Sequence, residues 1–223
     1  MSRKAEVFAA DGHRLDAWRS DPVGKPKGGV IVLHAIYGLT AHMGDVCDQW
    51  AGAGYAAVAP ALYDRLGRPS PVHGYEAGAA AGRACYARLT EEQVLADILG
   101  CAAALDGAGA KIVSGFCTGG TYAWVAAAKL TFDAQVNFYG SHVARKLDLE
   151  PRCPTVMHYG DADTVVPMED VERIGAAHPG ITLHVYRGGK HAFFNPEQGN
   201  YHAANAAAAW ANSLAFLDTA LNQ

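Results

Sequence analysis

Apolar residues along this chain alternate between two patterns. A continuous apolar run with β-branched residues at 29–34 reads as a strand buried on both faces, 55–60 and 112–115 read as further buried strands, and 135–139, 155–159 and 182–186 read as strands. Between them lie stretches with helical periodicity. One spans 42–53 and closes at Gly54. A second opens on Thr90-Glu91-Glu92-Gln93, which has the form of a capping box, and runs to about Leu105. Further helices are predicted at 120–129, 168–177 and 200–221, the last with an apolar stripe through Trp210, Leu214 and Leu217. Near the start, 5–10 and 14–20 alternate as an antiparallel pair turned at Asp11-Gly12, a strong hairpin dipeptide. Residues 65–88, with Pro69 and Pro71, are the least regular part and read as a loop with one or two short helices. Strands alternating with helices predict an α/β domain: a mainly parallel sheet with helices on both faces, one domain over 1–223.

Composition narrows the picture. A chain of 223 residues, half of them apolar, can bury one sizeable core. The net charge is −4 and the 18 basic residues are scattered, so neither a nucleic-acid footprint nor a membrane-surface patch is expected. The opening residues lack an apolar signal core, and no apolar run would span a bilayer. The five cysteines, Cys47, Cys85, Cys101, Cys117 and Cys153, are odd in number and contain no Cys-x-x-Cys pair. Neither a disulfide framework nor a zinc knuckle is expected, a reducing cytoplasm fits, and four of the thiols read as core filler. His34, His42, His73, His142, His158 and His184 show no metal-ligand spacing. A monomer or a small homo-oligomer is expected.

The chemistry concentrates at Gly115-Phe116-Cys117-Thr118-Gly119-Gly120. Gly-x-Cys-x-Gly between a strand and a helix is a nucleophile elbow with cysteine in place of serine. Its glycines leave room for a sharp, strained turn, and the following helix aims its positive end at the thiol. Two partners follow in the order of an α/β-hydrolase, each just after a strand: Asp163, with Asp161 competing two positions away, and His191 in a Gly-rich loop. An imidazole can take the thiol proton, and a carboxylate can orient the imidazole. Oxyanion donors are expected from the backbone of Thr118 and, by topology, of Ile36. His34, Tyr37 and Tyr86 are candidate pocket residues, and Phe193 with Phe194 a wall against water.

Together these residues resemble the dienelactone hydrolase (carboxymethylenebutenolidase) family. The resemblance covers roughly 28–217 and is carried by Val32-Leu33-His34-Ala35-Ile36-Tyr37-Gly38, Pro60-Ala61-Leu62-Tyr63, the elbow, Tyr139-Gly140, Gly160-Asp161-Ala162-Asp163 with Pro167, and His191-Ala192-Phe193. It implies an α/β-hydrolase fold, a Cys117–Asp163–His191 triad, ester or lactone hydrolysis, and neither metal nor cofactor. Two positions depart from the pattern. Ala35 stands where the family commonly has a glutamate that holds the resting cysteine. Asn195 stands where it has a substrate-binding arginine, leaving Arg83 or Arg88 as candidates for a substrate carboxylate. An ester substrate other than dienelactone is therefore expected. Activated esters such as phosphotriesters, a non-catalytic ligand-binding protein on the same fold, and a redox role for Cys117 are the alternatives.

Overall fold

The computed structural model describes Met1 to Asn222. Among these residues eight strands form one sheet: β1 (Arg3–Phe8), β2 (Arg14–Ser20), β3 (Gly28–Leu33), β4 (Ala56–Pro60), β5 (Ala110–Phe116), β6 (Ala134–Phe138), β7 (Thr155–Gly160) and β8 (Thr182–Tyr186), in the order β1-β2-β4-β3-β5-β6-β7-β8. The helices are α1 (Ala41–Gly52), α2 (Ala79–Tyr86), α3 (Glu91–Ala104), α4 (Thr118–Lys129), α5 (Met168–Ala177) and α6 (Ala203–Ala220). The fold class is α/β, as the alternation of patterns predicts. The chain divides into two compact units, Met1–Ile112 and the part from Val113 onward, and the boundary falls inside β5.

In the first unit, β1 and β2 pair antiparallel from Phe8 opposite Arg14, with Gly12 at φ +84° in the turn. Strands β3 and β4 pair parallel, and every position of both is buried. The capping box at Thr90 forms: its hydroxyl accepts from the Gln93 N–H at 3.2 Å, and the Gln93 side chain accepts from the Thr90 N–H at 3.0 Å. The irregular 65–88 stretch holds the end of a 3₁₀ turn, Leu62–Leu66, and then α2. It is tied down by charge. The Arg65 guanidinium, 6 % exposed, bridges the fully buried Asp97 at 2.6 Å and Asp11 at 2.7 Å. Burial pushes the Asp97 carboxyl up to about 6 against the pull of Arg65, so the pair costs desolvation while it fixes geometry.

In the second unit, β6, β7 and β8 pair in parallel. Helix α4 is buried from Thr118 to Ala128, which explains its run of small residues: a helix enclosed on all sides must let its neighbours approach closely. Asn137 at the end of β6 clamps it, donating to the Gly120 carbonyl at 2.7 Å and accepting from the Gly140 N–H at 3.1 Å. The closing helix departs from expectation in two ways. It begins at Ala203 rather than at 200, with the His202 ring as its cap. Its buried face is Ala206, Ala209, Ser213 and Leu217, while Trp210 and Leu214 are only half-buried. The polar Ser213 sits in that face because it bonds His158 of β7 at 2.9 Å. Among the described residues no helix is long and apolar enough to cross a membrane.

Candidate active site

Strand β5 runs through Phe116 and α4 starts at Thr118, so the elbow is tighter than the sequence predicts: Cys117 alone makes the turn. It does so at φ +54°, ψ −116°, outside the regions open to ordinary side chains. A side chain at Gly115 would run into the Gly119 carbonyl, which is why position 115 is glycine. The Cys117 N–H donates to the Phe138 carbonyl at 3.0 Å, and its carbonyl accepts from Ser141 at 3.1 Å. Among the described residues the other non-glycine positions at positive φ are Tyr139 (+43°) and Ala192 (+63°). Both flank the same place, since the Tyr139 ring stands edge-on to the His191 ring at 5.1 Å and Ala192 follows His191. Backbone strain is thus concentrated around one group of side chains.

His191 is held from behind. Its Nδ1 lies 2.8 Å from Asp163 Oδ2. The other Asp163 oxygen accepts from the N–H groups of Val165 (2.7 Å) and Val166 (3.0 Å), which fixes the carboxylate. Asp161 does different work: it accepts from the Gly188 N–H at 2.6 Å and so anchors the loop that carries His191. The two loops touch backbone to backbone. Ala162 donates to the Gly189 carbonyl at 2.9 Å, and a Cβ at Gly160 would strike Gly189.

The His191 Nε2 is buried and has no hydrogen bond of strict geometry. The ring nonetheless couples to Cys117 through charge, which does not require linear alignment. Burial opposes ionisation of the thiol, yet the His191 charge, aided by Ser141 and the Thr118 backbone, outweighs it and holds the thiol below its ordinary range. Burial likewise opposes the imidazolium, but Cys117 and Asp163 raise His191 well above the usual histidine range. The electrostatics favour a thiolate–imidazolium pair. Cys117, Asp163 and His191 all belong to the second unit.

The remaining predicted residues fall elsewhere. His34 has both ring nitrogens occupied, Nδ1 at the Ala35 carbonyl (2.7 Å) and Nε2 accepting from the Leu62 N–H (3.2 Å), and burial lowers its pKa to about 4. Tyr37 packs edge-on to Tyr75 at 4.8 Å. Ile36 is buried, with its carbonyl accepting from the Tyr63 hydroxyl at 3.0 Å. Arg83 is exposed and Tyr86 half-buried, both on α2. Phe193 is fully buried between Tyr139 and Tyr186, so it is packing beneath His191. Asn195 is buried and spends its side chain on the Glu197 N–H at 2.9 Å. Of the other cysteines, Cys47 and Cys101 are buried, whereas Cys85 and Cys153 are half-exposed rather than core. Sequence reasoning missed Ser141 and His142, which adjoin the elbow; the strained Tyr139-Gly140 step that brings them there leaves only its glycine as a mark. Among the described residues no group of three or more His, Cys, Asp or Glu could hold a metal ion.

Residues 15–221 match the model of the dienelactone hydrolase family. A carboxymethylenebutenolidase candidate of Escherichia coli (strain K12) is 32% identical over 206 residues, covering 83% of this chain and 74% of that protein. A carboxymethylenebutenolidase of Pseudomonas putida is 28% identical over 229 residues, covering 97% and 96%. Among solved structures, a candidate dienelactone hydrolase of Klebsiella pneumoniae superposes with a TM-score of 0.82 at 27% identity, over 98% of this chain and 99% of the other. A dienelactone hydrolase-like promiscuous phosphotriesterase from metagenomic libraries superposes with a TM-score of 0.76 at 18% identity, over 98% of each, which shows the shared fold. Fold, matched length and sequence identity agree that this chain belongs to the dienelactone hydrolase family of α/β-hydrolases, enzymes that act on ester and lactone bonds.

Proposed function

We propose that the chain is a cofactor-independent ester or lactone hydrolase with Cys117 as nucleophile, His191 as proton carrier and Asp163 as its orienter. One observation carries the reading: a cysteine strained into the turn before a buried helix couples by charge to a histidine whose far nitrogen lies 2.8 Å from a buried carboxylate. Cys117 Sγ attacks the carbonyl carbon, forming a C–S bond, and the carbonyl oxygen takes the negative charge. The Thr118 N–H, the first of α4, supports the role of oxyanion donor; the second donor is assigned to Ile36 on chain order alone. Collapse breaks the C–O bond, and the His191 imidazolium gives its proton to the leaving oxygen. In a lactone that oxygen stays tethered to the acyl group. His191 then takes a proton from water, the hydroxide attacks the thioester, and the C–S bond breaks to release the acid and restore the thiolate.

A purely ligand-binding role is disfavoured, because an Asp–His pair aimed at a thiol serves proton transfer and binding alone needs none. Turnover of activated aryl esters and of cis-dienelactone by Cys117→Ala and His191→Ala tests the reading. Both variants should be inactive, and sustained turnover by either would refute it. Adding phosphotriesters to the substrate panel decides between carboxylic and phosphoric esters.

A further inference from the structure

The end of β6 brings a second polar pair to the elbow, on residues that carry no part of the mechanism above. Ser141 is held there by its backbone, whose N–H donates to the Cys117 carbonyl at 3.1 Å. Its hydroxyl lies 3.3 Å from Nδ1 of His142, and Ser141 is one of the groups that help to hold the Cys117 thiol below its ordinary range. His142 is fixed in turn, since its N–H donates to Thr121 Oγ1 on α4 at 3.1 Å. The same helix therefore positions both the sulfur and the residue behind the serine.

We propose that Ser141, backed by His142, is a positioning residue for the Cys117 thiolate: its hydroxyl donates to the sulfur while the imidazole holds that hydroxyl in place. The inference rests on the reading of Cys117 as nucleophile and adds a second partner to it. A serine hydroxyl has one proton to give. When His142 carries its proton on Nδ1 and donates it to Ser141 Oγ, the hydroxyl proton is free to point at sulfur. The surrounding charges suit this. His191, with Asp163 behind it, is the group that carries charge beside Cys117. His142 has its pKa lowered first by burial and then by Arg145, His191 and Lys146. A neutral His142 supplies a donor without adding a positive charge that would compete with His191. The serine then steadies the thiolate between turnovers and leaves proton transfer to His191.

The test is the pH dependence of Cys117 alkylation by iodoacetamide on the full chain, read at that cysteine by peptide mass spectrometry. A hydrogen bond to a charged group is worth enough to move a pKa by about one unit. Ser141→Ala should displace the profile upward by about one pH unit, slowing alkylation about tenfold on the acid side. Ser141→Thr, which keeps the hydroxyl, should follow the wild-type profile. His142→Phe should slow alkylation about two- to threefold. A Ser141→Ala profile superimposed on wild type would overturn the proposal. So would a Ser141→Thr profile displaced as far as that of Ser141→Ala, because packing rather than the hydroxyl would then be at work. An unchanged His142→Phe profile would remove the backing role. Ser141→Gly is the second hydroxyl-free variant if Ser141→Ala does not fold. Failure of the nucleophile reading would appear separately, as full ester turnover by Cys117→Ala, and these profiles are read independently of it.

Discussion

Two buried histidines in the second unit have opposite fates. His158, on β7, is fully enclosed; its nitrogens meet the Tyr186 hydroxyl and Ser213 Oγ, each at 2.9 Å, and its ring stacks on Phe138 at 4.9 Å. Burial, and then His184, lower its pKa to about 3. His191 is nearly as enclosed, with 14% of its side chain exposed, yet it is raised, because it stands between a carboxylate and an ionisable thiol. Burial opposes charge on both rings. What separates them is the company: neutral hydroxyls make one a fixed cross-link between sheet and helix, and anionic partners favour the charged form of the other.

The comparison breaks most sharply at the proposed triad. Removing the ring or the sulfur, in His191→Ala or Cys117→Ala, should lower kcat/KM on an activated ester by about 10⁴-fold or more. Asp163→Asn keeps an oxygen for Val165 and Val166 but changes what His191 meets; kcat should fall about 10³- to 10⁴-fold with the melting temperature little changed. His158→Leu should do the reverse. Losing both of its hydrogen bonds should cost about 1–3 kcal/mol, read by urea unfolding, with turnover per folded molecule preserved.

The same pair predicts a pH effect of known sign. His158 stays neutral when folded, with a pKa lowered from 6.5 to about 3, so the unfolded chain takes up its proton first. Its contribution is fully present above pH 6.5 and is lost as pH falls toward 3. In His158→Leu the acid-side slope of stability should flatten by about 1.4 kcal/mol per pH unit, the equivalent of one proton. The mildest variant is Ser213→Ala, which takes one partner from His158 and should cost about 1 kcal/mol with turnover unchanged. Equal acid sensitivity in wild type and His158→Leu would sink the claim that the neutral ring is what acid attacks.

Local chemistry explains what could be read from the chain. The Asp11-Gly12 turn, the Thr90 capping box and the Gly115-x-Cys117-x-Gly119 elbow are each set by neighbours in sequence, so their signals survive without tertiary context. Choosing Asp163 over Asp161 needed the family pattern, because either carboxylate could follow β7; the structure gives one to His191 and the other to the Gly188 backbone. The contacts of Ser141 and His158 were hidden because their partners lie on other elements, and a serine in an apolar helix face reads as a fault until the histidine opposite is seen. The 65–88 stretch resisted for the same reason, since its anchors Asp11 and Asp97 lie far away along the chain.

The touching glycines, Gly160 and Gly189, have a consequence for how this enzyme can drift. Because acid loop and histidine loop meet with no side chain between them, neither can swell or slide alone; a displacement of one drags the other along. The distance between carboxylate and ring is therefore the dimension most resistant to wear. On the role proposed for Ser141, variation that retunes the catalyst without destroying it has freer room there, where a hydroxyl can be gained or lost without moving either loop.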